Sequence, residues 1–263
     1  MRVTVGRSGN QNIAVAVNEA TANIRDASFI LFITTSESLL SVSSILNKNY
    51  PGISIVGICG VYYHESLYSD YGLEVIAFDT DFCISIGLID NLFTYPISNL
   101  SKLHKSLEEV GAQPDNTICL EFCSGNEYVL TTTLHTTLSK FNVPLLGGSL
   151  YGTKPLISIN GHIYENSGFY AVIKTNIGRL NIYRGKDLDL INMIKKYSET
   201  PEFIFTINNQ YKHNFLFKNR GLDRFLRSMS GISTVHSGIV VNNTQYKNIR
   251  PDKGIVCAVL INS

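Results

Sequence analysis

One order of elements recurs three times along the chain, and that recurrence limits the available folds more than any single motif does. In the first stretch an apolar strand over residues 29–33 leads into a polar turn (Thr34, Thr35, Ser36, Glu37) and a helix over 38–46. A strand over 53–56 follows Pro51, then the glycine bend Gly57-Ile58-Cys59-Gly60, then a closing strand over 73–78. The second stretch has a strand over 117–122, the turn Cys123-Ser124-Gly125-Asn126, a helix over 127–140, the bend Gly147-Gly148-Ser149 after Pro144, and a closing strand over 169–174. The third has a strand over 203–207, a helix near 222–229, a strand over 232–235, the bend His236-Ser237-Gly238 and a closing strand over 255–261. These strands are continuous apolar runs, the pattern of strands covered on both faces. A strand–helix–strand connection implies parallel pairing with a right-handed crossover. The closing strand makes the sheets mixed. The expectation is an α/β fold of repeated strand–helix–strand–strand units, with mixed sheets flanked by helices in two subdomains. Further helices are expected over 13–24, 98–110 and 187–197, after a first strand over 3–5.

Composition narrows the class. Hydrophobic residues make up 44% and charged residues 16% of the 263, which excludes a disordered chain. Lys and Arg number 22 against 21 Asp and Glu, so no electrostatic case exists for nucleic acid or an anionic membrane as partner. No apolar run has the roughly 18–20 residues of a membrane span. Five cysteines with no C-x-x-C pair read as reduced thiols of a cytoplasmic protein.

The sequence carries no catalytic signature: no G-x-x-x-x-G-K-[ST] loop, no G-x-G-x-x-G and no G-x-S-x-G. Cys119 and Cys123 lie four apart on a strand, roughly 13 Å at about 3.3 Å per residue, too far to share a zinc ion. The six histidines form no H-x-H or H-x-x-x-H pair. No cofactor and no metal is expected. Position supplies the remaining argument, because ligands of α/β sheets bind outside the carboxyl ends of the strands. Those ends carry Thr34, Thr35, Ser36, Cys123, Ser124, Gly125, Asn126, Asn208 and Asn209. The glycine bends add Cys59, Gly60, Gly148, Ser149, Tyr151 and His236. Small, polar, uncharged groups of this kind suit hydrogen bonding to a small polar molecule, and they are equally the residues of turns and helix caps.

Several segments also resemble a known family. The run Val5-Gly6-Arg7-Ser8, the helix with Ala14, Ala16, Glu19 and Ala20, and the strand over 29–35 resemble the opening of FIST domains. Pro51-Gly52-Ile53-Ser54-Ile55-Val56-Gly57-Ile58-Cys59-Gly60 is similar to that family's P-x-x-x-hydrophobic-x-G-C-S-x-x-G. Val143-Pro144-Leu145-Leu146-Gly147-Gly148-Ser149 is similar to its P-hydrophobic-hydrophobic-G-G-x, and Gly161 to Gly168 resembles the hairpin that follows. The resemblance implies an N-terminal FIST part over 1–185 and a shortened C-terminal FIST part over 186–263. It implies a cytoplasmic, non-catalytic input domain of a bacterial signal-transduction protein. Such a domain would bind a small polar metabolite such as an amino acid at Cys59, Gly60, Ser124, Gly125, Asn126, Gly148, Ser149, Tyr151 and His236. It would pass the signal to an output domain or partner of chemoreceptor, kinase or cyclic-dinucleotide type. The alternatives are a haem-binding nitric oxide sensor with His236 or His162 as axial ligand, a ligand-free protein-interaction scaffold, and an enzyme with an unrecognised site.

Overall fold

The computed structural model describes residues 3–59, 61–64, 67–69, 72–92, 98–125, 127–150, 154–185, 191–192, 195, 203–209, 235–241, 244–246, 248–252 and 256–262. The first unit runs β1 (Val3–Ser8), α1 (Ile13–Thr21), β2 (Phe29–Thr34), α2 (Leu39–Asn49), β3 (Ser54–Cys59), β4 (Val61–His64), β5 (Leu67–Ser69) and β6 (Leu73–Phe78). The second runs β7 (Phe82–Ile89), α3 (Ser98–Glu109), β8 (Thr117–Cys123), α4 (Glu127–Phe141), β9 (Leu145–Ser149), β10 (Ile157–Ile159), β11 (His162–Tyr164) and β12 (Gly168–Thr175). The third runs β13 (Arg179–Gly185), β14 (Phe203–Asn209), β15 (Val235–Val241), β16 (Thr244–Tyr246), β17 (Asn248–Asp252) and β18 (Val256–Asn262). The helix expected over 187–197 falls largely outside the described residues, and the one near 222–229 entirely so.

Among the described residues the strands build three six-stranded mixed sheets, β1-β6-β2-β3-β10-β11, β7-β12-β8-β9-β16-β17 and β13-β18-β14-β15-β4-β5. In each, one pair is parallel (β2 with β3, β8 with β9, β14 with β15) and the other pairs are antiparallel. The α/β architecture with repeated units and helix-flanked mixed sheets is therefore the one read from the sequence. The exchange of hairpins is new. Each unit supplies four strands to its own sheet and sends a hairpin to another: β10–β11 to the first sheet, β16–β17 to the second, β4–β5 to the third. The exchange closes on itself. The boundary expected at Gly185 falls between β13 and β14, which both pair with β18 in one sheet.

Alternation along the strands sorts side chains into layers. Phe29, Leu31 and Ile33 of β2, Ile118, Leu120 and Phe122 of β8, and Phe203, Phe205 and Ile207 of β14 meet in one core shared by the three sheets. Phe78 anchors it, with ring centroids 5.7 Å from Phe29, 5.2 Å from Phe82 and 6.4 Å from Phe203, so rings of all three units touch. The opposite faces carry the helices. Ile30 and Phe32 pack under α1 and α2 with Val17, Val42 and Leu46, while Cys119 and Val172 pack under α3 and α4 with Leu103, Leu107 and Leu134. Each fully buried side chain of this size contributes about 1.5–3 kcal/mol.

Local chemistry explains how the exchanged hairpin of the first sheet docks. Asn160 and Gly161 both have positive φ (48° and 88°), the two-residue turn that an Asn-Gly pair favours. Asn160 Oδ1 also accepts the Ile55 N–H at 2.8 Å, and the buried Ser158 meets the buried Ser43 of α2 hydroxyl to hydroxyl at 2.6 Å.

The glycine bends are corrected. Gly57 lies inside β3, Gly147 and Gly148 inside β9, and the His236-Ser237-Gly238 run inside β15, which starts at Val235 instead of ending there. The glycines serve packing: a Cβ on Gly57 would stand 2.1 Å from the Phe32 ring, and one on Gly147 would stand 1.6 Å from the Glu121 carbonyl oxygen. Glycine inside a strand marks such close approaches as well as turns.

Candidate functional site

The hairpin exchange fixes where the sheets meet. β3 ends at Cys59, and β4 starts at Val61 paired with Val240, beside the carboxyl end of β15. β15 ends at Val241, and β16 starts at Thr244 paired with Gly148, beside the carboxyl end of β9. β9 ends at Ser149, and Leu156 accepts the Cys59 N–H at 3.2 Å just before β10 begins, beside the carboxyl end of β3. The carboxyl ends of β3, β9 and β15 therefore lie at one end of the molecule, where the chain leaves one sheet for another at three crossovers and returns three times, at the starts of β6, β12 and β18.

Of the expected site residues, Cys59, Gly148 and Ser149 stand at this end. Ser124 and Gly125 also stand there, one and two residues past β8, whose Cys123 is in register with Ser149. Gly60, Asn126 and Tyr151 lie outside the described residues. His236 does not belong to the group. It is the second residue of β15, in register with Ile204, near the amino ends of β14 and β15 and far from Asn208 and Asn209. The strand holding it begins later than the sequence pattern implied, which moves it to the wrong end.

Most of the polar groups gathered here serve the backbone. Cys59 Sγ accepts the Leu156 N–H at 2.7 Å and lies 3.7 Å from the Lys154 carbonyl, which also accepts the Ser36 hydroxyl at 2.9 Å. Burial pushes the Cys59 thiol above its ordinary value of 9.0, against the lowering effects of the Leu156 N–H and the Ser36 hydroxyl. A buried thiol held protonated is a packing group and no nucleophile. Ser124 donates its hydroxyl to the Ser167 carbonyl at 3.0 Å and accepts the Ser167 N–H at 3.2 Å, tying the end of β8 to the start of β12. Gly125 is required because a Cβ there would stand 2.4 Å from Asn166 Oδ1. The expected ligand groups Cys59 and Ser124 are thus engaged in holding the crossovers.

A charged pair at the same end was not singled out from the sequence. Arg7 Nη2 meets Glu74 Oε1 at 3.0 Å, with the Glu74 side chain wholly buried and that of Arg7 28% exposed. In β1, Gly6 and Ser8 face α1, while Val3 and Val5 face the shared core; Arg7 alternates onto the core face. Glu74 follows Ile76 and Phe78 onto that face from β6. The available signal was the charge of Glu74 in a strand otherwise built from apolar residues, and the charge of Arg7 beside Val3 and Val5. Among the described residues no group of three His, Cys, Asp or Glu could hold a metal ion.

On the opposite, helix-bearing face of the first sheet lies a cleft of about 370 Å³. Asn10 and Gln11 before α1, and Thr35 and Ser38 before α2, form its polar rim, over a floor of Ile13, Ala16, Val42 and Leu73. Thr34 closes one side, its hydroxyl donating to the Gly72 carbonyl at 3.0 Å.

No family model and no curated protein matches the chain. The solved structures include one similar from end to end. It is a cyanuric acid hydrolase from A. caulinodans, 10% identical, covering 99% of this chain and 99% of that one, with a TM-score of 0.52. The likeness is one of fold. It overturns the expected sensory input domain and the expected lack of catalysis, since the shared architecture is that of an enzyme over its full length. The alternatives offered with that reading, a haem-based sensor and a ligand-free scaffold, fall with it. The exposed His162 on β11 and the position of His236 also give no reason to retain an axial histidine. Among the described residues no helix is long and apolar enough to cross a membrane.

Proposed function

We propose that this chain is an enzyme of hydrolase type that acts on a small, carbonyl-rich polar molecule. The substrate is held where the three crossovers converge, on the core-facing side of the sheets. The observation that carries this reading is the fold shared along the whole chain with a hydrolase whose named substrate, cyanuric acid, is such a molecule. The Arg7–Glu74 pair supports it. An ion pair taken out of water seldom adds net stability over apolar packing, so its place at this end asks for another role. A guanidinium presents a rigid fork of donors suited to carbonyl and carboxylate oxygens, and the buried Glu74 carboxylate fixes its direction. Cys59, Cys83, Cys119 and Cys123 are free, in keeping with a reducing compartment such as the cytoplasm.

The test is to incubate the purified chain with cyanuric acid and a panel of small cyclic amides and imides, and to follow the addition of one water by mass spectrometry. Conversion of at least one compound is expected, falling about a hundredfold or more in Arg7→Ala, the scale on which removing one donor to a reacting oxygen acts. A folded chain that converts none of them refutes the reading.

A further inference from the structure

The cleft on the helix-bearing face takes no part in that proposal, because Leu73 faces the cleft while Glu74, the next residue of β6, faces the shared core. The repeat supplies an internal control. By strand register, Thr35 and Gly72 of the first unit correspond to Ser124 and Ser167 of the second. In the second unit these residues close on each other: Ser124 N–H and Oγ both donate to the Ser167 carbonyl, at 2.8 and 3.0 Å, and the Ser167 N–H returns to Ser124 Oγ. In the first unit the Thr35 hydroxyl oxygen instead accepts the Ser38 N–H at 3.3 Å, the Thr34 hydroxyl reaches the Gly72 carbonyl, and the space between α1 and α2 stays open.

The lining defines what fits. Gln11 offers a carboxamide that both donates and accepts, Asn10, whose Oδ1 already accepts the Asn12 N–H at 2.9 Å, offers its amide N–H, Thr35 and Ser38 offer hydroxyls, and the floor is apolar. Among the described residues that line the cleft, none carries a charge. An ionised ligand would lose hydration there without a counter-charge, which argues against a free amino acid. A concave apolar floor with a few polar groups at the rim is the usual form of a small-molecule site. We infer that this cleft is a second binding site, separate from the core-facing end, for an uncharged molecule with an apolar body and one amide or carbonyl end.

Benzamide, benzoate and benzylamine share one shape and differ in charge, and saturation-transfer NMR on the intact chain compares them directly. Benzamide is expected to bind, and the two ions at least about tenfold more weakly. Ala16→Leu fills the floor and is expected to abolish benzamide binding. Gln11→Trp blocks the exposed rim without touching the interior and is expected to do the same, which covers the case where the floor variant fails to fold. Arg7→Met is expected to leave benzamide binding unchanged. No benzamide binding, equal binding of either ion, binding that survives both cleft variants, or binding lost in Arg7→Met would each overturn the inference.

Discussion

Replacing Arg7 by Met removes the guanidinium from a carboxylate that has no exposed surface. Glu74 then either stays ionised with the guanidinium lost or takes up a proton, and protonation caps the penalty. With an ordinary glutamate value of about 4.3 and about 1.36 kcal/mol for each unit, holding the carboxyl neutral at pH 7 costs at most about 3.7 kcal/mol. The sign follows from proton linkage. The folded variant keeps a proton that the unfolded chain releases above pH about 4.3, so stability is intact below that value and falls as pH rises. Urea midpoints of the native chain and of Arg7→Met, measured from pH about 4 to about 8, should nearly coincide at the acid end and separate steadily toward neutrality. Arg7→Met with Glu74→Leu removes both charges. It should lie within about 1 kcal/mol of the native chain or above it, because an apolar pair of similar volume replaces the ion pair. That double variant should still convert substrate about a hundredfold or more slowly than the native chain. A gap between Arg7→Met and the native chain that does not change with pH, or a double variant as unstable as the sum of its parts, would refute the reasoning.

Gly57→Ala drives a methyl to 2.1 Å from the buried Phe32 ring and should cost about 1–3 kcal/mol, read as a fall of several degrees in Tm, with Phe32→Leu in the same chain recovering part of it. Full burial pushes the Cys119 thiol well above its ordinary 9.0, and burial pushes the Tyr170 hydroxyl above 10.0. The folded chain therefore keeps protons that the unfolded chain loses, and urea midpoints should fall as pH rises above about 9, less steeply in Cys119→Ala; an unchanged slope would count against it. A chain cut after Gly185 loses β15 under β4, β16 beside β9 and β18 beside β13, leaving three strands with an unpaired edge. Circular dichroism and sedimentation should show an aggregating product without a cooperative melt, and a monomer that melts cooperatively would contradict this.

The elements were legible wherever one strand period or one helix face decided them. Residues 73–78 were read as a strand and form β6, and residues 29–33 and 117–122 were read within a residue of β2 and β8. The second helix was read to within a residue at its start and ended three residues early. Glycine misled the reading, because its two uses leave the same trace. In Asn160-Gly161 it makes the positive-φ turn that its composition announces, whereas in Gly57 and Gly147 it makes room for Phe32 and for the Glu121 carbonyl. A sequence shows the missing side chain but not the neighbour that needed the space. The small strands β4, β10 and β16 went unassigned as separate elements for a related reason. Three or four residues carry no period of their own, and each is stabilised by a partner strand from another unit.

The candidate site was hidden by the same topology. The strand ends were taken as the place to look, yet each was read as a turn within its own unit. The exchange of hairpins makes the carboxyl ends of β3, β9 and β15 neighbours, so the residues that meet there come from all three units and share no local spacing. Polar residues beside a crossover are then drawn into holding it, as Cys59 holds Leu156 and Ser124 holds Ser167. The groups left to act on a substrate are those projecting from the strands onto the core face. There a charge such as Arg7 is conspicuous because Val3, Val5, Ile76 and Phe78 around it are apolar. In a fold closed by exchange, a charge set against the apolar pattern of its own strand is therefore a better guide to the site than the composition of the turns.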